Sequence, residues 1–247
     1  MAAPAAHVDT KIKAPPITAP EKPDKLGVAQ LAVGFVIALL AMLLFGYLAD
    51  RIHDQEAFAL DKYANPFLHS IASPLLDAVM NGITSLGSVE IVGAFFVLAV
   101  VLLIFYGRRE EALFLGVAIG GSVALNGTMK VIFERPRPAL PWAHVLPDYS
   151  FPSGHSMNSF VFYVAIALIL WGAYGRRVGA VALAVALLIA VAVGLSRIYL
   201  GYHYLSDVVG GFAAGLAWLL IVVIAFQVVP RTWARRPWAK QRTRHAN

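Results

Sequence analysis

Residues 156–196 read SMNSFVFYVAIALILWGAYG-RR-VGAVALAVALLIAVAVGLS: two charge-free runs of 20 and 19 residues with Arg176 and Arg177 between them. A helix needs ~20 apolar residues to cross the hydrocarbon core of a bilayer. Each run is therefore long enough to cross, and the arginine pair marks a turn held at the membrane surface. Four further stretches on either side lack Asp, Glu, Lys and Arg: Leu26–Ala49, Ile91–Gly107, Ala112–Met129 and Val208–Pro230. The six are 17 to 24 residues long. A soluble fold could bury one such helix, but six in 247 residues leave too little chain to cover them. Only 14% of the residues are charged and 59% are hydrophobic, whereas a soluble domain is nearer a quarter charged. The expected fold is all-α, a polytopic membrane protein with six transmembrane helices.

Between the first two stretches lies a mixed segment, Arg51–Asn65, followed by Pro66. From Leu68, the residues Leu68, Ile71, Leu75, Val79, Ile83 and Leu86 recur at helical spacing. His69, Pro74, Asp77 and Asn81 interrupt the apolar character, so the segment is expected as an interfacial helix on the outer side. Charge placement supports that choice. With six spans, fourteen of the twenty basic residues fall on the side that holds both termini, the Gly107–Glu111 turn and the Gly175–Arg177 turn. The positive-inside rule then puts both termini in the cytoplasm. A crossing at Leu68–Leu86 would split the two basic tails between opposite faces.

The expected domain organisation follows. Residues 1–25 form a disordered cytoplasmic tail, 26–230 the membrane domain, and 231–247 a basic cytoplasmic tail, where Trp233 and Trp238 would suit the interface. The net charge of +6 is accounted for by this topology, so nucleic acid is not an expected partner; membrane lipids are. With no cysteine, disulfides and thiolate metal sites are excluded.

Four cations stand on the outer side against the rule. Lys130 ends the third span, and Arg135 and Arg137 follow in Glu134-Arg135-Pro136-Arg137-Pro138, where the prolines stop the helix and stiffen the connector. The bland reading is that Lys130 snorkels and the arginines meet lipid headgroups. Arg197, the fourth, is harder to excuse at the edge of a span. A second cluster, Phe151-Pro152-Ser153-Gly154-His155-Ser156, opens the fourth span. Free N–H groups and the positive helix end make such a start an anion site, although a serine that only caps the helix is the ordinary explanation. A third cluster runs from Ser196-Arg197 to His203 and Asp207. The last two are one helical turn apart, so the carboxylate can fix the imidazole tautomer and free the other ring nitrogen. Each cluster alone is weak. The six-span topology puts all three on one face, where cations, a helix N-terminus, two histidines and a carboxylate make a set for phosphoryl transfer.

Lys130-x6-Arg137-Pro138, Pro152-Ser153-Gly154-His155 and Ser196-Arg197-x5-His203-x3-Asp207 resemble the three-part signature of the type 2 phosphatidic acid phosphatase family. That family includes undecaprenyl pyrophosphate and phosphatidylglycerophosphate phosphatases, glucose-6-phosphatase and vanadium haloperoxidases. The resemblance implies an integral membrane phosphatase acting on a lipid phosphate. It makes His203 the nucleophile that becomes phosphohistidine, Asp207 its orienting partner, and His155 the acid that protonates the leaving oxygen and later activates water. Lys130, Arg137, Ser153, Gly154 and Arg197 would hold the phosphate; Arg135 lies outside the signature. No metal or other cofactor is implied, because the cations neutralise the phosphate. An outward-facing site in a bacterial inner membrane suits undecaprenyl pyrophosphate first, with phosphatidylglycerophosphate, phosphatidic acid or lipid A as alternatives. The reading from a different class is a non-enzymatic transporter or scaffold; the span interiors hold only neutral polar residues such as Asn126 and Ser159, which disfavours the first, and the complete set of site residues disfavours the second. The sequence sets no oligomeric state.

Overall fold

The computed structural model describes residues 27–55, 58–144 and 146–228, and among them every regular element is an α-helix. In chain order these are α1 (Val28–His53), α2 (Ala59–His69), α3 (Pro74–Ser85), α4 (Val89–Phe105), α5 (Arg109–Phe133), α6 (Gly154–Tyr199) and α7 (Leu205–Val228). The tails expected at 1–25 and 231–247 lie outside the described residues. Four helices, α1, α5, α6 and α7, are long and apolar enough to cross a membrane. The pair α3–α4, bent by 42° at its break, makes a fifth if taken as one span. The chain is a multi-pass helical membrane protein. Its outer surface agrees: Phe35, Leu40 and Leu43 of α1 and Phe105 of α4 are all more than half exposed, as lipid-facing side chains should be.

The 46 residues of α6 would run about 69 Å if straight, more than twice the ~30 Å hydrocarbon core. They do not run straight. Gly175 has φ 79° and ψ −175°, outside the helical region and in a conformation that side chains rarely adopt. The two ends of α6 are also neighbours. A Cβ built on Gly87, in the α3–α4 turn, would lie 3.4 Å from His155 Cβ and 2.5 Å from Val193 Cγ1. The helix therefore folds back into two arms, 154–174 and 176–199, with Trp171 of the first packed on Gly179 of the second. α7 lies against both arms: Gly211 abuts Ser153 and Ser156, while Phe212 abuts Gly194.

The region expected as one helix from Leu68 to Leu86 is instead two helices broken at 70–73. Pro74 has no N–H to continue a helix and disfavours helical backbone in the residue before it. Ser73 is accordingly extended (φ −153°, ψ 157°), and its Oγ accepts from Leu76 N at 3.3 Å to cap α3. The preceding mixed stretch is also helical from Ala59, and α2 runs through Pro66. Local propensity would end α2 there, but tertiary contacts outweigh it. Asp61 and Asn65, one turn apart, are both buried against the α6–α7 region. In α3 the side chains of Leu76, Asp77, Met80, Ile83 and Thr84 are partly buried against α6, while Leu75 and Val79 are exposed.

Candidate active site

The connector Arg135-Pro136-Arg137-Pro138 leaves α5 through Glu134, which takes a left-handed conformation. Ser150 fastens it to the start of α6, with its N–H donating to Arg135 O at 2.9 Å and its Oγ to Pro136 O at 3.1 Å. Next to it Phe151 is fully buried, stacked on Phe45 (5.5 Å between centroids) and edge-on to Phe133 (5.2 Å). This aromatic wedge sets Ser153 beside α7, where Ser153 N donates to Asp207 O at 3.0 Å. The second and third sequence clusters are thus joined directly by backbone.

Arg135 and Arg137, two apart on an extended chain, reach the His203–Asp207 pair from its two ends. Asp207, with no exposed surface, takes Arg135 Nη1 on Oδ1 at 2.5 Å. Its Oδ2 lies 3.3 Å from His203 Nδ1 and accepts from Tyr204 N at 2.9 Å. On the other side of the ring, Arg137 Nη1 lies 3.2 Å from His203 Nε2. An arginine can only donate, so Nε2 accepts and the ring proton sits on Nδ1, towards Asp207. Burial, reinforced by the charges of Arg197, Arg137 and Lys130, pushes the His203 imidazole well below its ordinary pKa, against the opposing charge of Asp148. His203 is therefore neutral, with a lone pair on the nitrogen that faces the cations.

Three of the expected phosphate-binding cations gather around it. Lys130 Nζ donates to Asp148 Oδ2 and Tyr149 O, both at 2.5 Å. Arg137 donates from Nη2 and Nε to Asp148 Oδ1 (2.6 and 3.1 Å) and from Nη1 to Tyr202 O (2.7 Å). Arg197, 4% exposed, lies 4.3 Å over the Tyr202 ring and donates from Nη1 to Thr84 Oγ1 at 3.0 Å. It makes no ion pair with any carboxylate among the described residues, and its buried Nε has no partner there. A buried guanidinium without a counter-charge is costly unless an anion completes it.

His155, in the first turn of α6, lies within the fields of Arg197, His203, Arg137 and Lys130. Ser153 sits deeper, and Gly154 follows it at the start of the helix. Ser153 is fully buried and caps α6, its Oγ accepting from Ser156 N at 3.4 Å and from Ser156 Oγ at 3.0 Å. The capping role weighed against a phosphate role is thus present, and the hydroxyl keeps one O–H to donate. Gly154 has no room for a side chain, because an added Cβ would be 2.8 Å from Asn126 Oδ1. Among the described residues no three His, Asp or Glu side chains converge as metal ligands.

Several neighbours of this centre were not singled out from the sequence. Asp61 of α2 accepts from Arg135 Nη2 (2.8 Å), Ser206 N (2.8 Å) and Ser206 Oγ (2.5 Å). Arg135 is held between two carboxylates. Burial works against its charge, but Asp207 and Asp61 outweigh it and raise its pKa. Asn65 donates to Ile198 O (2.8 Å) and His203 O (3.0 Å), tying α2 to the loop that carries the histidine. Asp148 and Thr84 complete the set. Asp61 and Asn65 had one usable signal, two polar residues spaced i, i+4; Asp148 lies in a loop with no spacing to read.

Residues 111–231 match the PAP2 superfamily. The chain is 35% identical to phosphatidylglycerophosphatase B of Bacillus subtilis over 183 residues, 73% of this chain and 90% of that one. It is 31% identical to a putative undecaprenyl-diphosphatase, YbjG, of Escherichia coli over 127 residues, 49% of this chain and 60% of that one. A lipid A 1-phosphatase of Rhizobium johnstonii is 42% identical over 77 residues, 31% of this chain and 28% of that one. The crystal structure of a transmembrane PAP2 type phosphatidylglycerolphosphate phosphatase from Bacillus subtilis superposes with a TM-score of 0.72 at 32% identity, covering 79% of this chain and 98% of that one. By its signature segments, its fold and these relatives, the chain belongs to the PAP2 superfamily and is a membrane phosphatase.

Proposed function

We propose that this phosphatase removes the terminal phosphate of a membrane lipid through a phosphohistidine on His203. The observation that carries the reading is the placement of the His203 ring, with Nδ1 3.3 Å from Asp207 Oδ2 and Nε2 3.2 Å from Arg137 Nη1. Nε2 attacks phosphorus, the bond from phosphorus to the lipid-side oxygen breaks, and that oxygen takes a proton from His155. Water then attacks phosphorus and the phosphorus–nitrogen bond breaks, while His155 takes a proton from the water; orthophosphate leaves with both histidines restored. Lys130, Arg137 and Arg197 balance the charge on the transferring oxygens, helped by the Ser153 hydroxyl and the amide end of α6 at Gly154. Asp207 stabilises the imidazolium that forms on attack. The Arg137 contact to Nε2 has to open before attack.

The topology we propose has six spans: α1, α4, α5, the two arms of α6, and α7. The short α2 and α3 then lie at the outer surface beside the site. Both termini are cytoplasmic and the site faces outward in a bacterial inner membrane, which agrees with the basic residues at 108–109 and 176–177. A site at the bilayer rim favours a phosphate whose lipid tails stay in hydrocarbon. The sequence alone favoured undecaprenyl pyrophosphate. The relative matched over 90% of its length is a phosphatidylglycerophosphatase, and this puts phosphatidylglycerophosphate first and undecaprenyl pyrophosphate second.

The test is phosphate release by purified protein in mixed micelles from phosphatidylglycerophosphate, undecaprenyl pyrophosphate, phosphatidic acid and lipid A. His203→Ala serves as control, with a radiolabelled terminal phosphate to trap the phosphoenzyme. The reading requires an acid-labile phosphoenzyme in the wild type and a loss in His203→Ala on the order of 10⁴-fold or more. Release that survives His203→Ala, or no release from any lipid, would reject it.

A further inference from the structure

We infer that Asp148 is a specificity-determining residue: its carboxylate occupies the phosphate-binding donors of Lys130 and Arg137, so that only a more highly charged ligand displaces it. The inference rests on the reading just given for the site. Asp148 spans the two cations, with Oδ2 on Lys130 Nζ at 2.5 Å and Oδ1 on Arg137 Nη2 and Nε at 2.6 and 3.1 Å. Its backbone carbonyl adds a further contact to Arg137 Nε at 3.0 Å. In the same arrangement Arg137 Nη1 covers the His203 Nε2 lone pair. The donors of Lys130 and Arg137 and the lone pair that would attack phosphorus are thus engaged within the protein. Asp148 is still reachable, since 53% of its side chain is exposed.

The competition is set by charge. A phosphodiester headgroup offers one negative charge over two free oxygens, which is what the Asp148 carboxylate already provides. The carboxylate also has the advantage of being tethered in place. A phosphomonoester or terminal diphosphate brings up to two charges and three free oxygens. It can therefore engage Lys130 and Arg137 and also Arg197, which has no carboxylate of its own among the described residues. Once Arg137 turns to that ligand, Nε2 is released. In a bilayer made mostly of phosphodiester lipids, an open cradle of three cations would be blocked by the bulk lipid. An internal carboxylate of matched charge keeps it clear, so specificity comes from what the site refuses as well as what it takes.

The experiment compares wild type, Asp148→Asn and Asp148→Glu in mixed micelles. Phosphatidylglycerophosphate or phosphatidic acid serves as substrate, phosphatidylglycerol as phosphodiester inhibitor and orthovanadate as multiply charged inhibitor. Asp148→Asn is expected to lower KM about fivefold and to strengthen phosphatidylglycerol inhibition at least tenfold, with vanadate inhibition strengthened less. Asp148→Glu should stay within about threefold of wild type on each measure. If Asp148→Asn raises KM and leaves phosphatidylglycerol inhibition unchanged, Asp148 only orients the two cations and the inference is overturned. An equal gain for phosphatidylglycerol and vanadate would overturn it as well. A wild type that hydrolyses no lipid phosphate rejects the parent reading and this one with it.

Discussion

Arg135 and Arg137 are two residues apart, each bridged to a carboxylate, yet the two bridges differ in kind. Beneath the histidine, Arg135 joins Asp207 and Asp61, whose side chains are 0% and 6% exposed. Above it, Arg137 and Lys130 share Asp148, more than half exposed. The lower bridge links three parts of the chain, α2, the connector and the start of α7, and every oxygen in it is engaged. The upper bridge is one loop residue laid over two side chains. A buried pair is costly to break because the remaining charge cannot be hydrated, whereas water and ions readily replace an exposed one. The lower carboxylates thus belong to a fixed frame around His203, and in the function proposed above the upper one stands where a ligand would go.

Removing Arg135 should give the largest effect. Arg135→Ala leaves Asp207 and Asp61 as buried carboxylates without their cation and should cost about 3–5 kcal/mol of stability, read by thermal unfolding in detergent. Arg135→Lys keeps the charge, but one ammonium cannot reproduce the two-pronged geometry. Its loss should therefore appear in kcat, with KM little changed. A KM effect as large as the kcat effect would place Arg135 in the cradle and erase the distinction between the two bridges.

Asn65→Ala should come next. It strips the hydrogen bonds from Ile198 O and His203 O in a buried setting, at a cost of about 1–3 kcal/mol. Phosphoenzyme formation should slow while vanadate affinity holds, because Asn65 supports the histidine loop and touches no cation. Weakened vanadate binding with normal phosphoenzyme formation would reverse that assignment.

These two residues also show where sequence reading stops. The membrane class was legible because crossing a bilayer demands long charge-free runs, and the fold-back at Gly175 coincides with the turn read from Arg176 and Arg177. The contact between His203 and Asp207 was legible because a four-residue spacing puts the two on one helical face, whereas the role expected of His155 came from the resemblance. Arg135 could not be assigned, since its partners lie 74 residues before it and 72 after it. Pro66 hid α2, and with it the face shared by Asp61 and Asn65. Pro74, read as an interruption of one helix, proved to be the start of another. For Arg135 and α2 a tertiary contact decided what local propensity could not, whereas the start of α3 follows from Pro74 and the Ser73 cap alone.

Protonation separates the two bridges further. Burial and the nearby cations depress the His203 pKa, so its ring stays neutral below the ordinary histidine value of about 6.5. The single-turnover rate of phosphoenzyme formation should therefore show no acid limb attributable to His203 between pH 7 and 6. An acid limb near the ordinary value of about 6.5 that tracks the NMR titration of the His203 ring would count against the buried frame.

The smallest effect belongs to Asp148 and stability. Burial alone would raise its pKa, but hydrogen bonding to Lys130, the Lys130 charge and then Arg137 outweigh it and hold the carboxyl at about 2. The folded value lies below the ordinary one, so whatever the bridge contributes is present above the ordinary carboxylate range and is lost as pH falls through about 2. Between pH 7 and 5 it should be constant. Its size is limited by exposure: a half-exposed pair is screened by salt and contributes at most about 1 kcal/mol. Asp148→Asn should thus unfold within about 1 kcal/mol of wild type across that range, even while its ligand preferences change. If it costs as much as Arg135→Ala, water does not reach the upper bridge, and Asp148 joins Asp207 in the frame of the site.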